Sequence, residues 1–467
     1  MRRGRTSKGR ARAGSLIAFL PKARSLLKTQ DHGNPVLIKA NTIGSSGDHW
    51  IEPFLIANAQ NLKRLALRTE VSFSPDPCIK LHPNHCIGAM PLLNPATRRV
   101  TAGILVEPRF RWPALGAVFN AIGFSVEPNL AGTSLVPGSS REVPAWIIAG
   151  PVIERISAML RHCKRGFVVI QEERVSPRGQ IEWNKWIANN LASGNLASFP
   201  CRFTEPENDP ELLAGARWTL RRLKEELSTI AWTLPAKHLL KRANELQSVL
   251  GIGLTQRPAV GWAIPGSSAW TLEGIEAMSW VAEERGLGGA RTLDGLAWDL
   301  SIEAVWEAWV SSFAAELSKQ IGMVASPFQS ARRPLRWAGQ VHSMGALVPD
   351  VELRSAEKTI WIDAKYKAHM ELLRRKGWDG LSEEIRDSHR ADLHQALAYA
   401  SLADTPQVDT ILAYPQVIEE KRPIATVASI TSGRRRVRLI LASLPFGFHN
   451  PEQRDKSIGM FREILAA

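Results

Sequence analysis

Short apolar runs separated by glycine, proline and asparagine fill the first part of the chain. Between residues 35 and 110 the runs are PVLIKA, WIEPFLIA, LALRTEVSFS and TAGILVEPRF. Runs of this length between turn-forming residues are typical of β-strands. They predict a β-rich N-terminal domain over residues 29–200, for recognition or partner docking. Apolar periodicity also predicts helices over residues 112–123 and 145–163 within this domain.

The middle of the chain has a helical pattern. Apolar residues recur near every 3.6 positions at Leu213, Ala216, Leu220, Leu223 and Leu227. This spacing predicts a helical middle region over residues 201–290, with two helices inside 210–250. The same stretch carries the bases Arg217, Arg221, Arg222 and Lys224, which form either a solvated helix face or a contact to DNA or a partner. Four residues, GLGG at 286–289, predict the boundary of a last domain over 291–467.

The last domain begins with an apolar stripe. From Leu300 the run LSIEAVWEAWVSSFAAELSKQIG predicts a helix that carries Glu303 and Glu307 on one side. A strand within residues 324–348 and a hairpin built on VPDVEL and TIWIDAKYK follow, and then a helix, RADLHQALAYASLA. The runs DTILAYPQ and RRRVRLILASLPF predict two further strands. Together with the β-rich first domain, this order predicts an α+β multidomain fold that ends in an αβββαβ core.

The predicted hairpin carries the candidate chemistry. Asp350 follows a proline at the start of one strand, and Asp363 and Lys365 end the other. Because alternate residues of a strand share a face, Asp363 and Lys365 are predicted to point the same way. Two carboxylates can bind a hard divalent cation, which polarises a phosphoryl oxygen and activates water. A lysine beside them can orient that water or stabilise charge on the phosphate.

These residues form the signature Pro-Asp…Asp-x-Lys and resemble the PD-(D/E)xK nuclease superfamily. The competing interpretation of the same residues is a hairpin with a solvated salt bridge. Glu307 is a further metal ligand or a surface glutamate. Gln395 and Tyr399, four residues apart on the next helix, either support the site or form an ordinary polar pair.

The complete set of motifs resembles one family more narrowly. WEAWV, PDVEL, IDAKYK, DLHQALAYA and LAYP occur in the order typical of the McrC family, the nuclease subunit of McrBC-type restriction systems. The resemblance assigns functional positions to Glu307, Asp350, Asp363, Lys365, Gln395 and Tyr399. One departure is Trp306, where the family has phenylalanine. The resemblance covers residues 300–416 well and the first 140 residues not at all.

The resemblance implies an activity, a cofactor and a partner. We expect a restriction-endonuclease-like fold and a DNA endonuclease that uses Mg²⁺ or Mn²⁺ held by Asp350, Asp363 and Glu307. McrC-like subunits associate with a ring-forming AAA+ NTPase of the McrB type, and their host role is defence against foreign DNA. The chain has no G-x-x-x-x-G-K-[ST] motif. An NTPase would therefore act in trans.

Composition agrees with a nucleic-acid partner. The 467 residues carry a net charge of +14, and residues 1–28 contain no acid, which predicts a basic flexible tail. The four cysteines are too few for a disulfide framework, and no apolar run is long enough for a bilayer, so a cytoplasmic protein without a membrane partner is expected. The stretch CIKLHPNHC is a hairpin with incidental histidines or, less in keeping with known spacings, a zinc site.

Two other functions compete with the DNA nuclease. One is a DNA-binding adaptor that has a nuclease fold and regulates a partner AAA+ ATPase with little activity of its own. The intact set of Asp350, Asp363 and Lys365 argues against it. The other is a nuclease that acts on RNA. Basic charge does not separate the two substrates, but no aromatic-rich RNA platform is evident, which favours DNA.

Overall fold

A computed structural model provides the three-dimensional structure. It describes residues 25–44, 49–74, 76–139, 142–162, 166–207, 209–259, 268–283, 295–327, 332–338, 344–416, 424–432, 435–448 and 450–466. Most of the predicted basic tail and the GLGG boundary at 286–289 lie outside these residues. Within the described ranges, no helix combines the length and the apolar character needed to cross a membrane.

The N-terminal region mixes strands and helices. Its elements are β1 (Ser25–Gln30), β2 (Val36–Lys39), α1 (Ile51–Arg64), β3 (Arg68–Ser72), β4 (Cys78–His82), β5 (Cys86–Leu93), β6 (Val100–Glu107), α2 (Arg111–Ile122), β7 (Asn129–Val136) and α3 (Trp146–His162). Both predicted helices are present. Strand β1 pairs in parallel with β6, so residues 25–28 are part of a sheet and the predicted tail extends four residues too far. The predicted CIKLHPNHC hairpin is wrong, because β4 and β5 lie in different sheets.

A second group of strands and helices follows. Its elements are β8 (Gly166–Arg174), β9 (Gln180–Ile181), the short α4 (Trp183–Lys185), β10 (Phe199–Glu207), α5 (Pro210–Ser228), α6 (Leu234–Leu250) and α7 (Ala269–Ala282). Asp209 caps α5 by accepting hydrogen bonds from the backbone of Glu211 and Leu212. The two helices predicted within 210–250 are therefore confirmed as α5 and α6.

The basic residues of α5 have partners inside the protein. Arg217 donates to the carbonyl oxygens of Leu250, Gly251 and Leu254 at the end of α6, at 2.8, 3.3 and 3.2 Å. Arg222 forms an ion pair with Glu226 at 2.7 Å. These contacts satisfy the last carbonyls of a helix and neutralise charge. They favour the structural interpretation of this basic cluster over a DNA contact.

The last region supplies the sheet that positions the candidate site. Its elements are β11 (Gly295–Ser301), α8 (Ile302–Ile321), β12 (Val324–Pro327), β13 (Arg333–Pro334), β14 (Ala346–Leu347), β15 (Val351–Arg354), β16 (Lys358–Ala364), α9 (His369–Lys376), α10 (Glu383–Ala400), β17 (Gln407–Gln416), β18 (Ala425–Ser432), β19 (Arg435–Pro445) and α11 (Pro451–Ala466). Six strands form one sheet in the order β12-β15-β16-β17-β19-β18. Apart from the separate two-stranded sheet β13-β14 and helix α9, which are inserted, the succession α8, β12, β15, β16, α10, β17 follows the predicted αβββαβ order.

Helices cover both faces of this sheet. Ile360 and Ile362 of β16 belong to the main hydrophobic core together with Trp306 and Trp309 of α8. Trp361, between them in the sequence, packs instead with Tyr399 of α10 and its neighbours. This alternation follows from the two-residue period of a strand. It also directs Asp363 to the face that α10 covers.

Strand β11 belongs to the N-terminal five-stranded sheet, where it pairs with β5 and β7. It lies after residue 291, the predicted start of the last domain, so this sheet combines strands from both sides of the predicted boundary. Leu300 is the penultimate residue of this strand, so α8 begins at Ile302 rather than at the predicted Leu300, with Ser301 as its cap. The N-terminal sheet therefore leads directly into the helix that packs under the candidate site.

Candidate active site

The two aspartates of the hairpin lie at neighbouring strand ends. Strands β15 and β16 pair in antiparallel register, with Val351 opposite Ile362. Asp350, directly before β15, accepts a hydrogen bond from the backbone N–H of Ala364 through Oδ2 at 2.7 Å. Asp363 lies next to Ala364 in β16 and is only 4% exposed. The Pro-Asp turn is thus fixed beside the end of the strand that carries Asp363.

The electrostatics of this pair suit a divalent cation. Burial, followed by repulsion from Asp363 and Glu307, raises the pKa of Asp350 to about 7. Burial also raises the pKa of Asp363, although Lys365 opposes this shift. Two acids that disfavour each other's charge in a partly dry site are stabilised by a bound cation. The oxygen donors are those that Mg²⁺ and Mn²⁺ prefer, so the residues fit the expected metal.

Lys365 bridges the strand end and helix α10. Its Nζ lies 2.5 Å from Asp363 Oδ2 and donates a hydrogen bond to Gln395 Oε1 at 2.8 Å. Burial disfavours the ammonium charge, but the Asp363 carboxylate outweighs this effect and the pKa of Lys365 is raised. Lys365 therefore remains a fixed positive charge beside the two aspartates.

Gln395 and Tyr399 continue the network, as their spacing of four residues predicts. Gln395 Nε2 donates to Tyr399 Oη at 2.6 Å, and the Tyr399 hydroxyl donates to the carbonyl oxygen of Val348 at 3.1 Å. Burial raises the pKa of Tyr399, which keeps its hydroxyl protonated and able to donate. The network therefore runs from Asp363 through Lys365 and α10 back to the residue before Pro349.

Glu307 contributes to the electrostatics of the two aspartates. It is half-buried on α8, and burial, Glu303 and Asp363 together raise its pKa. Among the described residues, Glu307, Asp350 and Asp363 do not form a group whose ligand atoms all lie within 4.8 Å of one another. The structure thus places Glu307 in the electrostatic surroundings of the aspartates and leaves Glu303 exposed.

Trp306, the departure from the family pattern, has a defined role in positioning. It is fully buried, and its indole N–H donates to the carbonyl oxygen of Ala413 at 3.1 Å. The same carbonyl accepts the backbone N–H of Lys365 at 2.8 Å. A phenylalanine would fill similar space without this bond. The tryptophan therefore adds a contact between α8 and the strand end that carries Lys365.

A buried link from the N-terminal region reaches the residue after Lys365. The Tyr366 hydroxyl donates to Asp31 Oδ2 at 2.6 Å, and the backbone N–H of Arg109 donates to Asp31 Oδ1 at 2.6 Å. The Arg109 guanidinium stacks 4.4 Å above the Tyr366 ring. Sequence reasoning missed Asp31, because it lies 335 residues before Tyr366. The only sequence feature that pointed to this contact was Tyr366 itself, which lies within the motif IDAKYK.

We expect Tyr366→Phe to lower the free energy of unfolding by about 1–3 kcal/mol, because Asp31 would lose a buried donor. Asp31 is fully buried and Tyr366 is 3% exposed. Urea unfolding of Tyr366→Phe, Asp31→Asn and the double variant measures the coupling between them. A coupling of about 0.5 kcal/mol or more is expected. Strict additivity would show that the link does not stabilise the protein.

Asp350→Asn is expected to stabilise the metal-free protein at pH 8. The folded-state pKa of Asp350 is about 7, against an ordinary value of 3.8, so folding becomes less favourable as pH rises between these values. Asparagine keeps an acceptor for Ala364 and removes the charge, for a gain of about 1–3 kcal/mol. Thermal unfolding in EDTA should show the gain at pH 8 and little of it at pH 4.5. An equal gain at both values would contradict the prediction.

Comparison with known proteins gives matches among solved structures. No family model and no curated protein matches the chain. A chain of the refined half-complex from the tetradecameric assembly of Thermococcus gammatolerans McrB AAA+ hexamers with bound McrC aligns at 13% identity, over 94% of this chain and 100% of its own length, with a TM-score of 0.44. A chain of the cryo-EM structure of the Thermococcus gammatolerans McrBC complex aligns at 14% identity, over 63% and 88%, with a TM-score of 0.24. At these values the likeness is weak, so function is inferred from the side chains.

Proposed function

We propose that this chain is a metal-dependent DNA endonuclease, the McrC-like subunit of a McrBC-like restriction and anti-phage defence system. One observation carries the proposal. Lys365 is held by Asp363 and Gln395 at the strand end where the Asp350 turn is fixed. The order of motifs around these residues, from WEAWV to LAYP, supports the narrower McrC-like identity.

Each side chain has a role in phosphodiester hydrolysis. Asp350 and Asp363 would hold Mg²⁺ or Mn²⁺, with Glu307 as a further acid nearby. When bound, such a cation polarises the phosphate and lowers the pKa of water. The Lys365 ammonium, already charged, would stabilise the negative charge that develops on the phosphate or position the attacking water. Gln395 and Tyr399 fix the direction of Lys365 through the bonds described above.

The basic net charge and the missing nucleotide motif support the proposed partners, DNA and an NTPase in trans. A net charge of +14 favours the binding of a polyanionic partner such as DNA. Neutralisation of the phosphates by basic side chains supplies most of the non-specific affinity of proteins for DNA. The sequence lacks a phosphate-binding loop of the G-x-x-x-x-G-K-[ST] type. A McrB-like AAA+ NTPase acting in trans would supply the nucleotide hydrolysis. The products would carry 5′-phosphate and 3′-hydroxyl ends.

The experiment is plasmid cleavage by the purified full-length chain, with Mg²⁺ or EDTA and with or without a candidate AAA+ NTPase and its nucleotide. We expect Mg²⁺-dependent nicking or linearisation, faster with the partner, and 5′-phosphate ends after labelling. A matched RNA substrate should be cut far more slowly. If only the RNA were cleaved, RNA rather than DNA would be the substrate.

The alternative function, a DNA-binding adaptor that regulates a AAA+ ATPase, predicts a different result. The chain would bind DNA or stimulate the ATPase equally well with Asp363→Ala or Lys365→Ala, and no condition would give cleavage. The buried Asp363–Lys365 pair favours the nuclease, since two charges at 6% and 15% side-chain exposure are costly to keep without use.

A further inference from the structure

A second cluster of potential metal ligands lies on the α10 side of the sheet. His369 is the first residue of α9, and His389 and Asp392 are three apart on one face of α10. Each offers a ligand atom within 4.8 Å of the other two. They are 7%, 2% and 4% exposed, respectively. The proposed nuclease function uses none of these residues.

One ligand atom of this cluster has no well-formed hydrogen bond. His369 Nδ1 is buried and lies 3.5 Å from Asp392 Oδ2, an ion-pair contact without regular hydrogen-bond geometry. The ring of His389 is oriented by the Tyr414 hydroxyl, 3.4 Å from its Nδ1. Burial lowers the pKa of His389, which keeps the imidazole neutral, the form that binds metals.

Lys367 forms an ion pair with Asp392, the carboxylate of this cluster. Its Nζ lies 2.7 and 2.9 Å from the two oxygens of Asp392 and 3.1 Å from Ser388 Oγ. The side chain is 34% exposed and ends in a single point charge on a flexible stem. It can therefore withdraw towards solvent when another cation takes its place.

We propose that His369, His389 and Asp392 form a binding site for a divalent transition metal of the Zn²⁺ class, with the Lys367 ammonium as its internal competitor. Two imidazoles and a carboxylate suit Zn²⁺, whereas Mg²⁺ prefers oxygen ligands alone. The metal would fasten the start of α9 to α10. Asp392 lies one turn before Gln395, so the same metal would hold the helix that positions Lys365.

The test is Zn²⁺ affinity, measured on the metal-free full-length chain by competition with a chromophoric chelator. We expect one Zn²⁺ per chain, and His389→Ala and Asp392→Asn should each weaken the affinity by roughly 100-fold. Lys367→Met should tighten it by roughly 10-fold, because the competing charge is gone. This variant keeps all three ligands, so it tests the site even if a histidine variant fails to fold.

Two comparisons separate this site from others. His394→Ala, which removes an exposed histidine on the same helix, should leave Zn²⁺ affinity unchanged. Bound Co²⁺ should give visible bands without thiolate charge transfer, which excludes Cys78 and Cys86 as ligands. Binding that survives His389→Ala, or an affinity that Lys367→Met does not raise, overturns the proposal. Neither result depends on whether the protein cuts DNA.

Discussion

Lys365→Met is expected to lower the rate of Mg²⁺-dependent DNA cleavage by roughly 100- to 1,000-fold. The ammonium is the one positive charge in direct contact with Asp363 among the described ion pairs, and Gln395 holds it in place. Methionine has a similar length and no charge, so the space near the aspartates stays filled. Single-turnover cleavage of a labelled duplex at saturating enzyme isolates the chemical step from DNA binding.

Two controls make the result specific. Lys319→Met removes a lysine on α8 that is 74% exposed, so it matches the loss of surface charge without touching the site. It should keep the wild-type cleavage rate. Loss of Lys365 also leaves Asp363 buried without its cation, so unfolding is measured in parallel and should show a folded protein. If a folded Lys365→Met variant cleaved DNA at the wild-type rate, Lys365 would have no role in the chemical step.

Arg438→Met is expected to lower the free energy of unfolding by about 3–5 kcal/mol, because it leaves a buried carboxylate short of its main partner. Arg438 Nε and Nη2 lie 2.7 and 2.5 Å from the two oxygens of Asp409, which is 2% exposed. Arg438 Nη1 also donates to the carbonyl oxygen of Ile464 in α11 at 3.0 Å. The pair thus joins β17, β19 and the last helix of the sheet domain.

Lys358 limits the size of this loss. Its Nζ lies 2.8 Å from Asp409 Oδ2, so one cation remains when Arg438 is replaced. Urea unfolding measures the effect, with Arg436→Met, an exposed arginine two residues away, as the matched control within about 0.5 kcal/mol of wild type. Adding Asp409→Leu to Arg438→Met should recover part of the loss. If Arg438→Met unfolds like the control, the buried pair does not stabilise the sheet.

Local patterns in the sequence predicted the core of the site. Alternation along TIWIDAKYK placed Asp363 and Lys365 on one side, and their atoms meet at 2.5 Å. The four-residue spacing of Gln395 and Tyr399 on a helix likewise predicted that they share a face, and they are hydrogen-bonded. Both relations depend on the geometry of one strand or one helix. Such relations can be derived from a single sequence.

Relations between distant segments were not predictable. The bond from Tyr366 to Asp31 and the pairing of β11 with β5 join residues far apart in the chain. No periodicity connects such segments, because their partners are chosen by the packing of whole sheets. The basic residues of α5 show the same limit. Arg217 caps α6 because the two helices pack as a pair, and composition alone suggested a solvated face or DNA.

Single-turnover cleavage of duplex DNA by the wild-type chain and by Asp363→Asn, with the proposed AAA+ partner present, distinguishes the nuclease from the adaptor. Ca²⁺ first establishes equal DNA binding, and Mg²⁺ then starts the reaction. We expect both proteins to bind the duplex and only the wild type to cleave it, with cleavage abolished by EDTA. Equal cleavage by both would remove the Asp350–Asp363–Lys365 site from the chemistry. Equal binding without cleavage by either would establish the adaptor instead.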